Sequence, residues 1–76
     1  MKLKVKLNSV DDIKTFVNTL NRYAYDFDLV SGRYVIDAKS IMGVYSLDIS
    51  EPLDLIIHTD DSVTDVTDAI DAFIVK

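Results

Sequence analysis

Two hydrophobic periodicities alternate along this chain, and their order restricts its fold more than any other feature. Alternating apolar and polar residues, typical of half-buried strands, occupy residues 2–7, 25–30 and 53–58. Residues 33–37 return from a hairpin turn as a further strand, whose register stays open because Tyr34, Val35 and Ile36 are all apolar. Apolar residues at helical spacing lie between the first and second of these four segments in chain order, between the third and fourth, and after the fourth. This βαββαβα order predicts an α+β fold, a two-layer open-faced sandwich in which three helices cover one face of a four-stranded antiparallel sheet.

The helix and turn boundaries follow from local signals. Ser9 or Asn8 can cap the first helix, and Ser9 with Asp12 three residues later resembles a capping box. This helix is expected to run to about Tyr23. Ser31 and Gly32 form the hairpin turn, since glycine tolerates a positive φ. Apolar residues expected to face the core are Tyr34 and Ile36 in the third strand, Ile13, Phe16, Val17, Leu20 and Ala24 in the first helix, and Val63, Val66, Ile70, Phe73 and Ile74 in a long last helix.

Composition limits the class of protein. Seventy-six residues, 49% of them hydrophobic, with only two glycines and one proline, predict one folded domain over residues 1–76. The absence of cysteine excludes disulfides and thiolate metal sites, and a net charge of −5 opposes nucleic-acid binding by a basic surface. The N-terminus lacks the apolar core of a signal peptide, and no stretch approaches the roughly eighteen apolar residues of a membrane span. We therefore expect a cytoplasmic protein without contact to membrane or nucleic acid.

The stretch AKSIMGVYSL, residues 38–47, carries more apolar surface than one helix on one sheet can bury. Ser40 is a plausible N-cap for a helix from Ile41 to about Asp48. The five apolar residues of this helix would cover an arc of about 220° around its axis. Either all five belong to a wide core-facing surface, or Val44 and Leu47 face the core and some of the others stay exposed, as at a partner site. In the second case, the exposed residues would be some of Ile41, Met42 and Tyr45.

The segment KSIMGVYSL also resembles the regulatory-serine segment of the HPr family, the small phosphocarriers of the bacterial sugar phosphotransferase system, which includes the catabolite repression HPr. Tyr45 departs from the family by standing where methionine is more usual. The predicted element order is also that of HPr, so the resemblance extends over nearly the full chain. It implies the strand order 1-4-2-3 and phosphorylation of Ser40. It also implies a protein-binding surface made of Lys39, Ile41, Met42, Gly43 and Tyr45.

The turn before the first helix departs from that family. In HPr this turn carries a Gly-x-His-Ala-Arg-Pro-like motif, whose histidine accepts a phosphoryl group from enzyme I. The corresponding residues 8–13 read NSVDDI and contain no histidine, arginine or proline. Carboxylates at Asp11 and Asp12 would repel a phosphoryl dianion in the first helical turn. We therefore interpret this turn as a degenerate phosphoacceptor turn, formed by Asn8, Ser9, Asp11 and Asp12.

His58, the lone histidine, is a poor substitute for the missing acceptor. It ends the fourth strand and is followed by Thr59, Asp60 and Asp61, where a phosphoryl acceptor would need positive charge. One histidine with scattered aspartates is weak evidence for a metal. We expect a solvent-facing structural histidine, no cofactor or metal, and a protein that is not an enzyme.

Three functions remain open at this stage. The first, which we favour, is a regulatory or adaptor module that binds a protein through residues 40–47 and is switched at Ser40. The resemblance implies an HPr-type kinase and a catabolite control transcription factor as its partners, and we expect a monomer. The second is a phosphocarrier with His58 as a displaced acceptor. The third is a purely structural domain that dimerises through its apolar patch.

Overall fold

The structure, a computed structural model, describes residues 1–75 and follows the predicted order of elements. Every predicted strand and helix is present, with somewhat different ends. A short 3-10 helix, Asp71–Phe73, follows the last α-helix. The bounds are β1 Lys2–Val5, α1 Val10–Leu20, β2 Asp26–Ser31, β3 Tyr34–Asp37, α2 Ile41–Tyr45, β4 Leu53–His58 and α3 Thr64–Ala69.

The four strands form one antiparallel sheet in the order β1-β4-β2-β3, as the resemblance implied. β4 lies between β1 and β2, so both of its edges are paired within the sheet. Leu55 pairs with Leu3 on one side and with Leu29 on the other. The βαββαβα sandwich predicted from the sequence is therefore confirmed.

The core lies between the sheet and the helices. In β4 the odd-numbered residues are buried and the intervening ones are half-buried or exposed, because successive strand residues point to opposite faces. Phe16 of α1 meets Phe73 edge-to-face, with ring centroids 5.6 Å apart. The buried apolar side chains are Val5, Leu7, Ile13, Phe16, Val17, Leu20, Phe27, Leu29, Ala38, Val44, Leu53, Leu55, Ile57, Val63, Val66 and Ile70.

The first and second helices are shorter than predicted. α1 ends at Leu20 rather than Tyr23, and Ala24, expected in the core, is exposed beyond it. Asn21 stops the helix because its side-chain amide donates to the carbonyl of Val17 at 2.9 Å. α2 ends at Tyr45 rather than Asp48, and a single further turn follows it.

The last helix is also interrupted, contrary to the prediction of one long helix. α3 ends at Ala69, the 3-10 helix follows, and Ile74 forms an isolated antiparallel bridge with Val5. The chain leaves the helical path because its end pairs with the outer edge of β1: Lys6 donates its backbone N–H to Phe73 O at 2.8 Å, and Val75 donates to Lys4 O at 2.9 Å. Pairing of this kind satisfies backbone groups at a sheet edge.

Tyr34 was predicted to face the core, and this prediction is wrong. It is 70% exposed, whereas Ile36, two residues later on the same face, is half-buried against the core. The physical reason is the position of α2, which packs over β3 near Ile36 and leaves the hairpin end of the strand uncovered. Within residues 1–75, no helix is both long and apolar enough to cross a bilayer.

Candidate functional site

Ser40 forms the N-cap of α2, as predicted. Its backbone is extended, with φ −94° and ψ 107°, and its exposed Oγ accepts the N–H of Gly43 at 3.2 Å. The carbonyl of Ser40 accepts the N–H of Val44 at 3.0 Å. A helix of five residues has little macrodipole, so the exposed hydroxyl, more than the dipole, is the notable feature of this cap.

The apolar side chains of α2 divide between core and solvent. Val44 is fully buried, and Ile41 and Leu47 are half-buried against the core. Met42 is 73% exposed and Tyr45 is 37% exposed. The interpretation that all five face the core is therefore wrong, and Met42 and Tyr45, three residues apart, form an apolar face on α2.

Gly43 allows α2 to lie close to both its own cap and the sheet. A Cβ at this position would lie 3.3 Å from Ser40 Oγ and 3.5 Å from Ile36 Cδ1. Any side chain here would therefore press on the cap hydroxyl. The contribution of Gly43 to the site is steric: it leaves space beside Ser40 Oγ.

Lys39 lies directly before Ser40 in the chain, but its ammonium is bound elsewhere. Its Nζ donates to the carbonyl of Tyr23 at 2.5 Å and lies 5.4 Å from the ring centroid of Phe27. Its backbone N–H donates to Asp37 Oδ1 at 2.9 Å. The Lys39 ammonium is thus held by the segment between α1 and β2, while the carboxylate of Asp37 bonds the backbone directly before the cap.

The β1–α1 turn is closed by its own side chains. Ser9 Oγ accepts the N–H of Asp12 at 3.1 Å, and Asp12 Oδ2 accepts the N–H of Asn8 at 2.9 Å. The predicted cap is confirmed, with the return bond going to Asn8 instead of Ser9. Asp11 is exposed in the first turn of α1. The turn therefore offers carboxylates to solvent, and two of its backbone amides are already bonded.

Lys6 joins this turn to the segment that follows α2. No pattern in the sequence distinguishes this lysine, yet its Nζ donates to Leu7 O at 3.1 Å, Asn8 Oδ1 at 3.1 Å and Ile49 O at 2.8 Å. The pKa of Asp48 is lowered chiefly by hydrogen bonds from Ser50 and in small part by Lys6. The alternating pattern of residues 2–7 could not predict the contact between Lys6 and Ile49, because Ile49 lies 43 residues further along the chain.

The open face of the sheet carries pairs of charged side chains on neighbouring strands. Lys4 Nζ and Asp54 Oδ1 form an ion pair at 2.8 Å, and hydrogen bonding and charge from Lys4 lower the pKa of Asp54. His58 Nε2 lies 2.7 Å from Asp28 Oδ2, and Asp26 is its register partner. Both pairs form because β4 lies between β1 and β2 in the sheet.

The surroundings of His58 do not suit a phosphoryl group. His58 lines a shallow depression with Asp26, Asp28 and Asp37, so each further charged side chain there is anionic. Repulsion from these carboxylates opposes a dianion on the imidazole. In the part of the chain that the structure describes, no three His, Cys, Asp or Glu side chains are arranged to hold a metal ion.

A family model described as the PTS HPr component phosphorylation site matches residues 12–75. Because the match spans most of its length, the chain belongs to the HPr family of the phosphotransferase system. Members of this family are phosphocarriers rather than enzymes and act with protein partners. The matched range begins in the first turn of α1 and does not include Asn8, Ser9 or Asp11. No curated protein sequence matches the chain significantly.

Solved structures share this fold over nearly the whole chain. The phosphocarrier protein HPr from Bacillus anthracis str. Ames is 22% identical with a TM-score of 0.76, covering 99% of this chain and 96% of that one. HPr-C-His from Thermoanaerobacter tengcongensis is 23% identical with a TM-score of 0.72, covering 95% and 85%. Crh, the catabolite repression containing protein of Bacillus subtilis, is 26% identical with a TM-score of 0.67, covering 97% and 90%, and is described as a dimer with a swapped domain. A dimeric relative gives no support to the monomer expected from the sequence.

Proposed function

We propose that this chain is a non-catalytic regulatory or adaptor protein of the phosphotransferase lineage, which binds a protein partner through the exposed face of α2. The observation that carries the proposal is the exposure of Met42 and Tyr45 beside the capping hydroxyl of Ser40. Large apolar side chains held in water without a structural role are typical of interaction sites. The partners that fit the family are an HPr-type kinase and a catabolite control transcription factor, and the site of action is the cytoplasm.

Phosphorylation of Ser40 is the proposed switch. Its hydroxyl is exposed, and a phosphate there would add negative charge next to an apolar face, which changes the class of partner that the face can bind. Because Lys39 Nζ is bound to Tyr23 O, a partner must supply the cation that pairs with the phosphate. Gly43 leaves the space that the modified side chain needs. Lys39 and Ile41 flank the contact surface.

The chemistry of the β1–α1 turn supports a role without histidine phosphotransfer. Residues 8–13 contain no imidazole, and Asp11 and Asp12 add carboxylates to the first turn of α1, which would repel a phosphoryl group there. Asp28, 2.7 Å from His58 Nε2, also opposes transfer to the lone histidine. In the proposed function the chain neither turns over a substrate nor needs a cofactor.

The decisive experiment compares partner capture by matched surface variants. M42D and Y45D place a charge on the α2 face, and V10D places one on a residue that is 55% exposed at the start of α1. We expect the first two to lose binding to the purified kinase and transcription factor of the native host, and V10D to retain it. Thermal unfolding checks that each variant is folded. Equal binding by all three would refute the α2 face as the contact.

Two further measurements test the modification itself. Mass spectrometry of protein purified from the native host on different carbon sources is expected to find phosphate on Ser40, and S40A is expected to abolish it. Incubation with enzyme I and phosphoenolpyruvate is expected to leave the protein unlabelled. An acid-labile phosphate on His58 would instead establish a displaced phosphocarrier.

A further inference from the structure

The two edge strands of the sheet differ in whether their outer backbone groups are paired. The outer edge of β1 is paired with the end of the chain through the bonds from Lys6 to Phe73 and from Val75 to Lys4. β3 lies at the opposite edge, and within residues 1–75 it pairs only with β2. An uncovered strand edge is a template for pairing with another strand.

The direction of the backbone groups in β3 follows from its ladder with β2. Ala38 donates its N–H to Phe27 O at 2.9 Å, so Ala38 points toward β2. In an antiparallel ladder, residues alternate between bonding this neighbour and pointing away from it. Tyr34 and Ile36 therefore bond β2 as Ala38 does, and the N–H and C=O of Val35 point outward from the sheet.

Two exposed side chains of β3 are apolar, and its one charged residue, Asp37, lies at the end of the strand. Tyr34 is 70% exposed on the helical face, and Val35 is 61% exposed on the other face. Natural edge strands are commonly protected by lysine, proline or a bulge. Residues 34–37 read YVID and contain neither lysine nor proline. Exposed apolar side chains on both faces of this edge favour its pairing with a further strand.

We propose that β3 pairs antiparallel with β3 of a second copy of this chain, about a two-fold axis at Val35. This register places Val35 opposite Val35, Tyr34 of one copy opposite Ile36 of the other, and Arg33 opposite Asp37. The two Val35 residues exchange two backbone hydrogen bonds, and the two sheets join into one of eight strands.

Charge complementarity favours a second copy over an unrelated strand. The segment RYVID carries a cation at one end and an anion at the other. Antiparallel pairing about its centre therefore creates two Arg33–Asp37 pairs by symmetry, while any other registration with itself separates them. The proposal goes beyond the α2 contact and uses different residues, so each can fail without the other.

The first test uses the backbone of Val35. We expect sedimentation velocity up to about 1 mM protein to show a concentration-dependent dimer, and amide exchange to show a Val35 N–H that becomes protected as the dimer forms. V35P removes that N–H without taking a bond from β2, so it is expected to abolish dimerisation. V35T keeps the N–H and the branched side chain, and it is expected to dimerise.

The second test exchanges the charges. R33D and D37R each put like charges opposite one another twice per dimer, and we expect each to weaken association by about tenfold or more. The double variant R33D/D37R restores opposite charges and is expected to associate within about threefold of the original protein. A monomer at every concentration would overturn the proposal. So would a dimer that V35P leaves intact, as a swapped dimer or one formed through Met42 and Tyr45 would be.

Discussion

Replacement of Lys6 by methionine tests whether one side chain fastens the β1–α1 turn to the segment after α2. Methionine keeps most of the aliphatic stem and removes the ammonium, which donates three hydrogen bonds to Leu7 O, Asn8 Oδ1 and Ile49 O. These three acceptors use the full donor capacity of a lysine. The variant therefore removes the whole connection while leaving the local packing nearly unchanged.

The expected loss can be worked from the exposure of each bond. The bond to Asn8 is exposed and contributes little. The bonds to the partly buried carbonyls of Leu7 and Ile49 come from a charged donor; because both remain partly exposed, each is worth about 1.5 kcal/mol, the low end for such bonds, or about 3 kcal/mol together. Release of the ordered lysine side chain offsets up to about 2 kcal/mol. We expect K6M to lower the free energy of unfolding by about 1–2 kcal/mol.

Urea denaturation measures this loss directly, and thermal unfolding should show a decrease of roughly 5–15 °C in Tm for a domain of this size. K14M is the matched control, because Lys14 is exposed on α1. Amide exchange should also show faster opening of the backbone around Ile49 in K6M. A K6M protein as stable as K14M would refute the inference that Lys6 fastens the turn.

Three further changes test other parts of the fold. Lys4 lowers the pKa of Asp54 below its ordinary 3.8, so the stabilisation from this pair is complete above that pH and is lost as pH falls through the lower folded pKa. The free energy of unfolding, measured as a function of pH in acid, should therefore fall more steeply for the original protein than for K4M. Equal slopes would contradict the pairing. V44A removes two methyl groups from a fully buried position of α2 and should lower the free energy of unfolding, measured in urea, by about 2 kcal/mol. A decrease below about 0.5 kcal/mol would mean that Val44 does not anchor α2. G32A meets no atom within 4 Å but imposes a Cβ at φ +58°, so it should cost about 1 kcal/mol, and an unchanged urea midpoint would contradict this turn geometry.

Prediction from the sequence succeeded where a pattern and its cause lie within a few residues. The alternation of Leu53, Leu55 and Ile57 located β4 to the residue, because strand side chains alternate faces regardless of the partner strand. Ser9 and Ser40 were identified as caps because the amides they bond, three residues later, are already nearby in the chain.

The candidate site was only partly predictable. Apolar excess in residues 40–47 indicated that some of α2 must be exposed, but not that Met42 would be far more exposed than Ile41. That difference depends on the rotation of α2 over β3, which the close approach at Gly43 and Ile36 sets. Lys39 was expected in the protein-binding surface because it directly precedes Ser40 in the chain, but its ammonium is bound to the carbonyl of Tyr23.

The sequence by itself determined the order of elements, the inward faces of β1, β2 and β4, the two serine cap candidates and the absence of histidine from the β1–α1 turn. Each of these depends on periodicity, cap chemistry or residue identity, which act over about four residues. Only the tertiary structure decided the link from Lys6 to Ile49, the interruption of the last helix by the pairing of Ile74 with Val5, and the uncovered edge of β3. These features depend on which distant segments meet, and the free energy of such contacts is defined only once the whole sheet has formed.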